Sequence, residues 1–180
     1  MANIYTIQDF LEIKSAIGGS FSPNGEKIAF RSNTSGTFQL YIAPRDGGKA
    51  EQLTFYHEPL TLAEFSPTKD EIVFGMGEGG NEKVQLYLYD SAKKNTRRLT
   101  QKQNCVYRFG DWSKDGKLIS YSSNERNGAD FDVYVMDVAS GNTHMVFAHG
   151  EWCDALDFSP SDKKLAIRKQ HTFVHQDLYL

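Results

Sequence analysis

One pattern is written four times into this chain of 180 residues, at a period of about 46. Each copy opens on an aromatic residue followed by serine: Phe21-Ser22-Pro23, Phe65-Ser66-Pro67, Trp112-Ser113-Lys114 and Phe158-Ser159-Pro160. A tight turn and a short apolar strand follow, at Lys27-Ile28-Ala29-Phe30, Glu71-Ile72-Val73-Phe74, Lys117-Leu118-Ile119-Ser120-Tyr121 and Lys164-Leu165-Ala166-Ile167. Each copy then reaches an apolar-Tyr-apolar strand centred on Tyr41, Tyr87, Tyr134 or Tyr179. The serines stand 44, 47 and 46 residues apart, the tyrosines 46, 47 and 45. Two markers that keep one period mean stacked copies of one supersecondary unit, and four short strands in roughly 40–50 residues is the signature of a β-propeller blade. The expected fold is all-β: a partial β-propeller of about four blades, each a four-stranded antiparallel meander, with a short N-terminal helix.

The expected organisation is an N-terminal helical segment over 1–18 and blades over 19–180, divided near 19–60, 61–105, 106–152 and 153–180, the last incomplete. Thr6 followed by Asp9 resembles a capping box, and Ile7, Phe10 and Leu11 share one face of a helix over Thr6–Lys14 that would pack as a lid on the first blade. Asn24-Gly25 and Asp115-Gly116 suit primed hairpin turns between first and second strands. The fourth repeat reaches only its third strand at Tyr179-Leu180. Residues Asn3 to Ile7 would have to supply a missing strand for a four-bladed ring to close. The preferred expectation is a piece of a larger propeller, whose open blade faces and edges would favour self-association.

The sequence is 39% hydrophobic and 13% aromatic, enough for a substantial core, and its formal net charge is −3 with both signs interspersed. That balance argues against a nucleic-acid or anionic-membrane partner, and the absence of a basic, apolar leader makes the cytoplasm the default. Cys105 and Cys153 occupy similar offsets before the third and fourth copies and are expected to be reduced structural thiols.

The repeats resemble the blades of TolB-type propellers, which also run aromatic-Ser-Pro-Asp-Gly-Lys, a short apolar strand, and apolar-Tyr-apolar-Asp before a glycine turn. A finer resemblance is to the N-terminal propeller of the prolyl oligopeptidase family of serine peptidases, in its acylaminoacyl peptidase-like branch. It rests on Gly79-Gly80-Asn81-Glu82-Lys83-Val84-Gln85-Leu86-Tyr87, on Trp112-Ser113-Lys114-Asp115-Gly116-Lys117, and on Ser122-Ser123-Asn124-Glu125-Arg126 leading to Asp130-Phe131-Asp132-Val133-Tyr134. That resemblance implies a propeller that gates or orients peptide substrates for an α/β-hydrolase domain not contained in these residues. A TolB-like scaffold for protein–protein interaction is the alternative.

The chemistry such a peptidase needs is missing here. A nucleophile elbow requires Gly-x-Ser-x-Gly at a strained strand-to-helix turn, and no such pentapeptide occurs. Gly75-Met76-Gly77-Glu78-Gly79-Gly80 satisfies Gly-x-Gly-x-x-Gly, but the strand that follows cannot offer a helix N-terminus to a pyrophosphate, so no cofactor is expected. His171 and His175 have four-residue spacing without the intervening Glu of a zinc peptidase. Lying in a connection between strands, they are expected not to converge, and no metal site is expected. The candidates for orienting a substrate are the loop charges Glu125 and Arg126, with Glu78 and Glu82 in the preceding repeat. For Glu125 and Arg126 the alternative is an intrablade ion pair.

Overall fold

A computed structural model describes residues 6–180. Among them, fifteen strands follow one another into four antiparallel sheets. The first holds β1 (Ala16–Phe21), β2 (Lys27–Ser32), β3 (Gln39–Pro44) and β4 (Glu51–Gln52), and the second β5 (Leu60–Phe65), β6 (Glu71–Met76), β7 (Gln85–Asp90) and β8 (Asn95–Arg98). The third holds β9 (Tyr107–Trp112), β10 (Leu118–Ser123), β11 (Asp132–Asp137) and β12 (Thr143–Phe147), and the fourth only β13 (Trp152–Phe158), β14 (Leu165–Gln170) and β15 (Gln176–Tyr179). Every sheet pairs strands in chain order, so each repeat is a meander blade, and the fold is a four-bladed β-propeller arrangement as the period implies.

The repeat serine has a local task. Ser22 Oγ accepts the Lys27 N–H at 3.0 Å, Ser113 Oγ the Leu118 N–H at 2.9 Å and Ser159 Oγ the Lys164 N–H at 3.2 Å, closing the mouth of the first hairpin of the blade. The turns differ from expectation. Gly25 and Gly116 donate to the carbonyls of Ser22 and Ser113 and are left-handed, with φ of 70° and 69°, but Asn24 and Asp115 are not. A primed turn needs positive φ at both central residues, so these five-residue connections are turns closed by a single left-handed residue. In the fourth blade Asp162 takes that conformation without glycine, at φ 59°.

Alternation along the strands gives each blade two apolar faces, one for each neighbour. Ala29, Leu40 and Ile42 of the first blade bury against Phe65, Ile72, Phe74 and Tyr87 of the second. Val73, Leu86 and Leu88 then bury against Ile119, Tyr121, Tyr134 and Met136 of the third. Val133 continues the sequence onto Ala155, Ile167 and Tyr179. The periodic tyrosines are therefore packing positions: Tyr41 stacks on Phe30, Tyr87 on Phe74 and Tyr134 on Tyr121 at centroid distances of 5.9, 5.3 and 5.4 Å. Ile28, Val73, Ile119 and Ala166 all lie in second strands, yet they are not one column. Counted from the repeat serine, Ile28 aligns with Ile72, Ile119 and Leu165, and Val73 and Ala166 stand one residue further on, facing the opposite way.

The helix α1 (Ile7–Leu11) is shorter than expected, although its capping box is formed: Asp9 N–H donates to Thr6 Oγ1, and Thr6 N–H to Asp9 Oδ2 at 2.6 Å. It is not a lid. None of its residues is buried, and Ile7, Phe10 and Leu11 face solvent, because five residues cannot carry an apolar stripe across a blade. Of the segment considered for ring closure, residues 3–5 lie outside the described part, and Ile7 is helical. Cys105 and Cys153 are free thiols that pack in successive seams, the second-to-third and third-to-fourth. No described helix is long and apolar enough to cross a membrane.

Candidate functional site

Meander connectivity sorts the connections onto two faces. The loops from second to third strands, over 33–38, 77–84, 124–131 and 171–175, share a face with the links between blades, and the short turns occupy the other. The loop face carries every charged residue singled out from the sequence. Glu78 Oε1 accepts the Tyr87 hydroxyl at 2.7 Å and the Arg98 guanidinium at 3.0 Å. Burial, then this carboxylate, pushes the Tyr87 phenol up to about 12. Glu125 Oε2 accepts the Tyr107 hydroxyl at 2.7 Å, and burial and that bond drive this phenol far above its usual range. Arg126 Nε donates to Asp132 Oδ2 at 2.6 Å, with Asp132 wholly buried, and Nη2 donates to Asp130 at 3.2 Å. Glu78, Glu125 and Arg126 are thus anchored within their own blades. Glu82, left-handed at φ 57°, makes no side-chain ion pair among the described residues. The glycine-rich stretch around it is a loop that leads into β7, with no helix behind it.

His171 and His175 flank the turn between β14 and β15, where His171 N–H donates to the His175 carbonyl at 3.0 Å. Their rings converge, with centroids 4.7 Å apart, because the turn folds the chain back on itself and does not extend as a strand would. This corrects the expectation that they would diverge. His171 Nε2 lies 2.9 Å from Asp177 Oδ2 and its Nδ1 lies 2.8 Å from Glu151 Oε2; His175 Nε2 is 4.0 Å from Asp177 Oδ1. The hydrogen bond with His171 holds the Asp177 carboxyl below its usual range.

A second cluster lies on the first strands. β1 runs against β5, and β9 against β13, so these are the innermost strands, around the axis of the blades. Two residues before each repeat serine stand Ser20, Glu64, Asp111 and Asp157. Ser20 Oγ accepts the Phe65 N–H at 2.8 Å and Asp111 Oδ2 accepts the Phe158 N–H at 3.1 Å, so this position stitches one inner strand to the next. Glu64, Asp111, Asp157 and Lys114 line a cavity of about 450 Å³ together with Leu62, Phe109 and Trp112. Burial first, and then the charge of Asp111, raise the Glu64 carboxyl above its ordinary range. Lys114 Nζ answers Asp111 at 3.2 Å. Arg31 also acts on Glu64, so the three carboxylates Glu64, Asp111 and Asp157 face two cations, Arg31 and Lys114, and the remaining negative charge suits the cavity to a cationic group. Sequence reasoning passed over this column, although an acidic residue before the aromatic-Ser pair in three of four repeats was a visible signal.

No family model matches this chain. The TolB homolog of Chlorobium chlorochromatii is 33% identical over 156 residues, a match covering 87% of this chain and 34% of that protein. The crystal structure of TolB from Acinetobacter baumannii superposes with a TM-score of 0.71 at 20% identity, over 92% of this chain and 40% of that one. The fold is that of a TolB-like β-propeller. An acylaminoacyl peptidase solved with a chloromethyl ketone superposes at a TM-score of 0.64 and 14% identity, over 91% of this chain and 30% of that one. TolB-like blades therefore match propellers from proteins of different kinds, and this chain spans well under half of each of these three. Likeness at such identities establishes the fold alone.

Proposed function

We propose that this chain is the propeller portion of a serine peptidase of the prolyl oligopeptidase type, which admits and orients peptides for a hydrolase domain carried elsewhere in the protein. The observation that carries the proposal is the axial cavity in which Glu64, Asp111 and Asp157 gather beside the apolar surfaces of Leu62, Phe109 and Trp112. Three carboxylates against Arg31 and Lys114 fit the ammonium end or a basic side chain of a peptide, and the apolar wall fits its neighbours. On the loop face, Glu82 extends this orienting role, and Glu78, Glu125 and Arg126 hold their loops in place through Tyr87, Tyr107 and Asp132. Within the chain there is no nucleophile elbow, so the propeller acts on access and alignment and not on bond cleavage.

The test is active-site labelling. The product of the complete natural reading frame should take one equivalent of a fluorophosphonate at a serine outside residues 1–180, and the 180-residue chain should take none. A second reading, a TolB-like propeller that binds a folded protein partner, is favoured by the 33% identity to the Chlorobium TolB homolog. It stands in place of the first if the complete product is not labelled.

A further inference from the structure

We propose that His171, His175 and Asp177 form a site for a divalent transition-metal ion of the zinc type, with Glu151 as the outer partner of His171. The inference is independent of the peptide reading. Around a tetrahedral ion with bonds of about 2.0–2.2 Å, donor atoms lie about 3.3–3.6 Å apart. Here Asp177 stands 2.9 Å from His171 Nε2 and 4.0 Å from His175 Nε2, bracketing that separation, and all three donor groups lie within 4.8 Å of one another. Small rotations about the side chains of an exposed turn bring them to it. Two imidazoles and a carboxylate are a donor set that zinc accepts with water as a fourth ligand.

The second observation is on the far side of the ring. Metal-bound histidines usually donate their other N–H to a carboxylate, which fixes the tautomer and strengthens the ligand. Glu151 Oε2 holds that position, 2.8 Å from His171 Nδ1. Glu151 is itself fixed: its N–H donates to Asp130 Oδ1 at 3.1 Å, and its carboxylate is 3.4 Å from Lys169 Nζ. Lys169, whose ammonium donates to the His149 carbonyl at 2.9 Å, is the cation paired with Glu151. The backbone prepares the turn, since Thr172 Oγ1 accepts the His175 N–H at 3.0 Å.

The experiment titrates the purified chain with Zn²⁺ against a chromophoric chelator, with Co²⁺ as a spectroscopic substitute. One ion per chain is expected, with the intense visible bands of four-coordinate cobalt. H171A and H175A should each abolish binding, and E151Q should weaken it about 10- to 100-fold without changing the cobalt spectrum. The His175 side chain is mostly exposed, so H175A keeps the test valid if H171A does not fold. Failure to bind one equivalent of Zn²⁺, or binding that survives H175A undiminished, overturns the site. Unchanged affinity in E151Q overturns the role given to Glu151.

Discussion

Asp162 reaches out of the fourth blade and accepts the backbone N–H of Lys114, in the third, at 2.7 Å. Its second oxygen takes the Asp115 N–H at 3.0 Å, so one carboxylate closes the turn of the preceding blade. The same seam recurs earlier, with Thr68 Oγ1 donating to the Asp115 carbonyl at 3.3 Å and Lys27 pairing with Asp70 at 3.5 Å. Blade seams on the turn face are therefore pinned by polar contacts outside the apolar interface. Asp162→Ala should cost about 1.5–3 kcal/mol in urea unfolding, the net worth of hydrogen bonds to a charged group. Asp162→Asn, which tolerates the left-handed backbone and keeps one acceptor, should cost less.

Gly110 makes the third and fourth blades fit. A Cβ there would lie 2.6 Å from Ser120 Oγ, 2.7 Å from Ala155 Cβ and 2.9 Å from the Ala155 carbonyl. Gly110→Ala should destabilise by about 1–3 kcal/mol, an overpacking penalty. Gly19→Ala, whose Cβ would meet only Ile28 at 3.7 Å, is the control and should stay within about 0.5 kcal/mol.

Buried phenols set an alkaline limit. Burial, with the charges of Glu78 or Glu125, holds Tyr87 and Tyr134 up to about 12 against an ordinary value of 10. Between these values the unfolded chain releases protons that the folded chain retains, so the stability contributed below pH 10 is lost as the pH rises toward 12. Phenolate absorbance from these side chains should rise together with unfolding and not before it. Tyr134→Phe should flatten the fall in urea midpoint across that window.

Much of this was legible in the chain. The paired aromatic-Ser and Tyr markers fix where each blade begins and which strands face a neighbour, because stacking imposes one period on every copy. The helix at Thr6–Lys14 carried a correct N-terminal capping box, but tertiary burial decides helix length, and none of the residues of α1 is buried. His171 and His175 converge through a turn that periodicity does not encode. Within the second strands apolar residues on both faces hide the register, and Val73 and Ala166 stand one position out of step with Ile28 and Ile119. Glu64 and Asp111 looked like ordinary strand residues until the inner strands were brought together.

The outer faces of the first and fourth blades have no neighbouring blade among the described residues; Phe21 is exposed on β1 of the first, and Leu178 and Leu180 are exposed in and just after β15 of the fourth. Removing apolar surface of this kind from water is favourable by about 25 cal/mol per Å², against the entropic cost of association. Sedimentation over a concentration series should show the chain self-associating, and Leu178→Glu should reduce it. A monomer at all concentrations would show that these faces are satisfied within one chain.

The orienting role of the axial carboxylates is tested most directly by equilibrium binding of labelled tripeptides with free or acetylated amino termini. The free-amine peptide should bind at least about tenfold more tightly, the worth of one charge-assisted bond, and Glu64→Gln combined with Asp111→Asn should erase the difference. Equal affinity for the two peptides, or a preference that survives the double variant, would contradict the assignment of this cavity to peptide recognition.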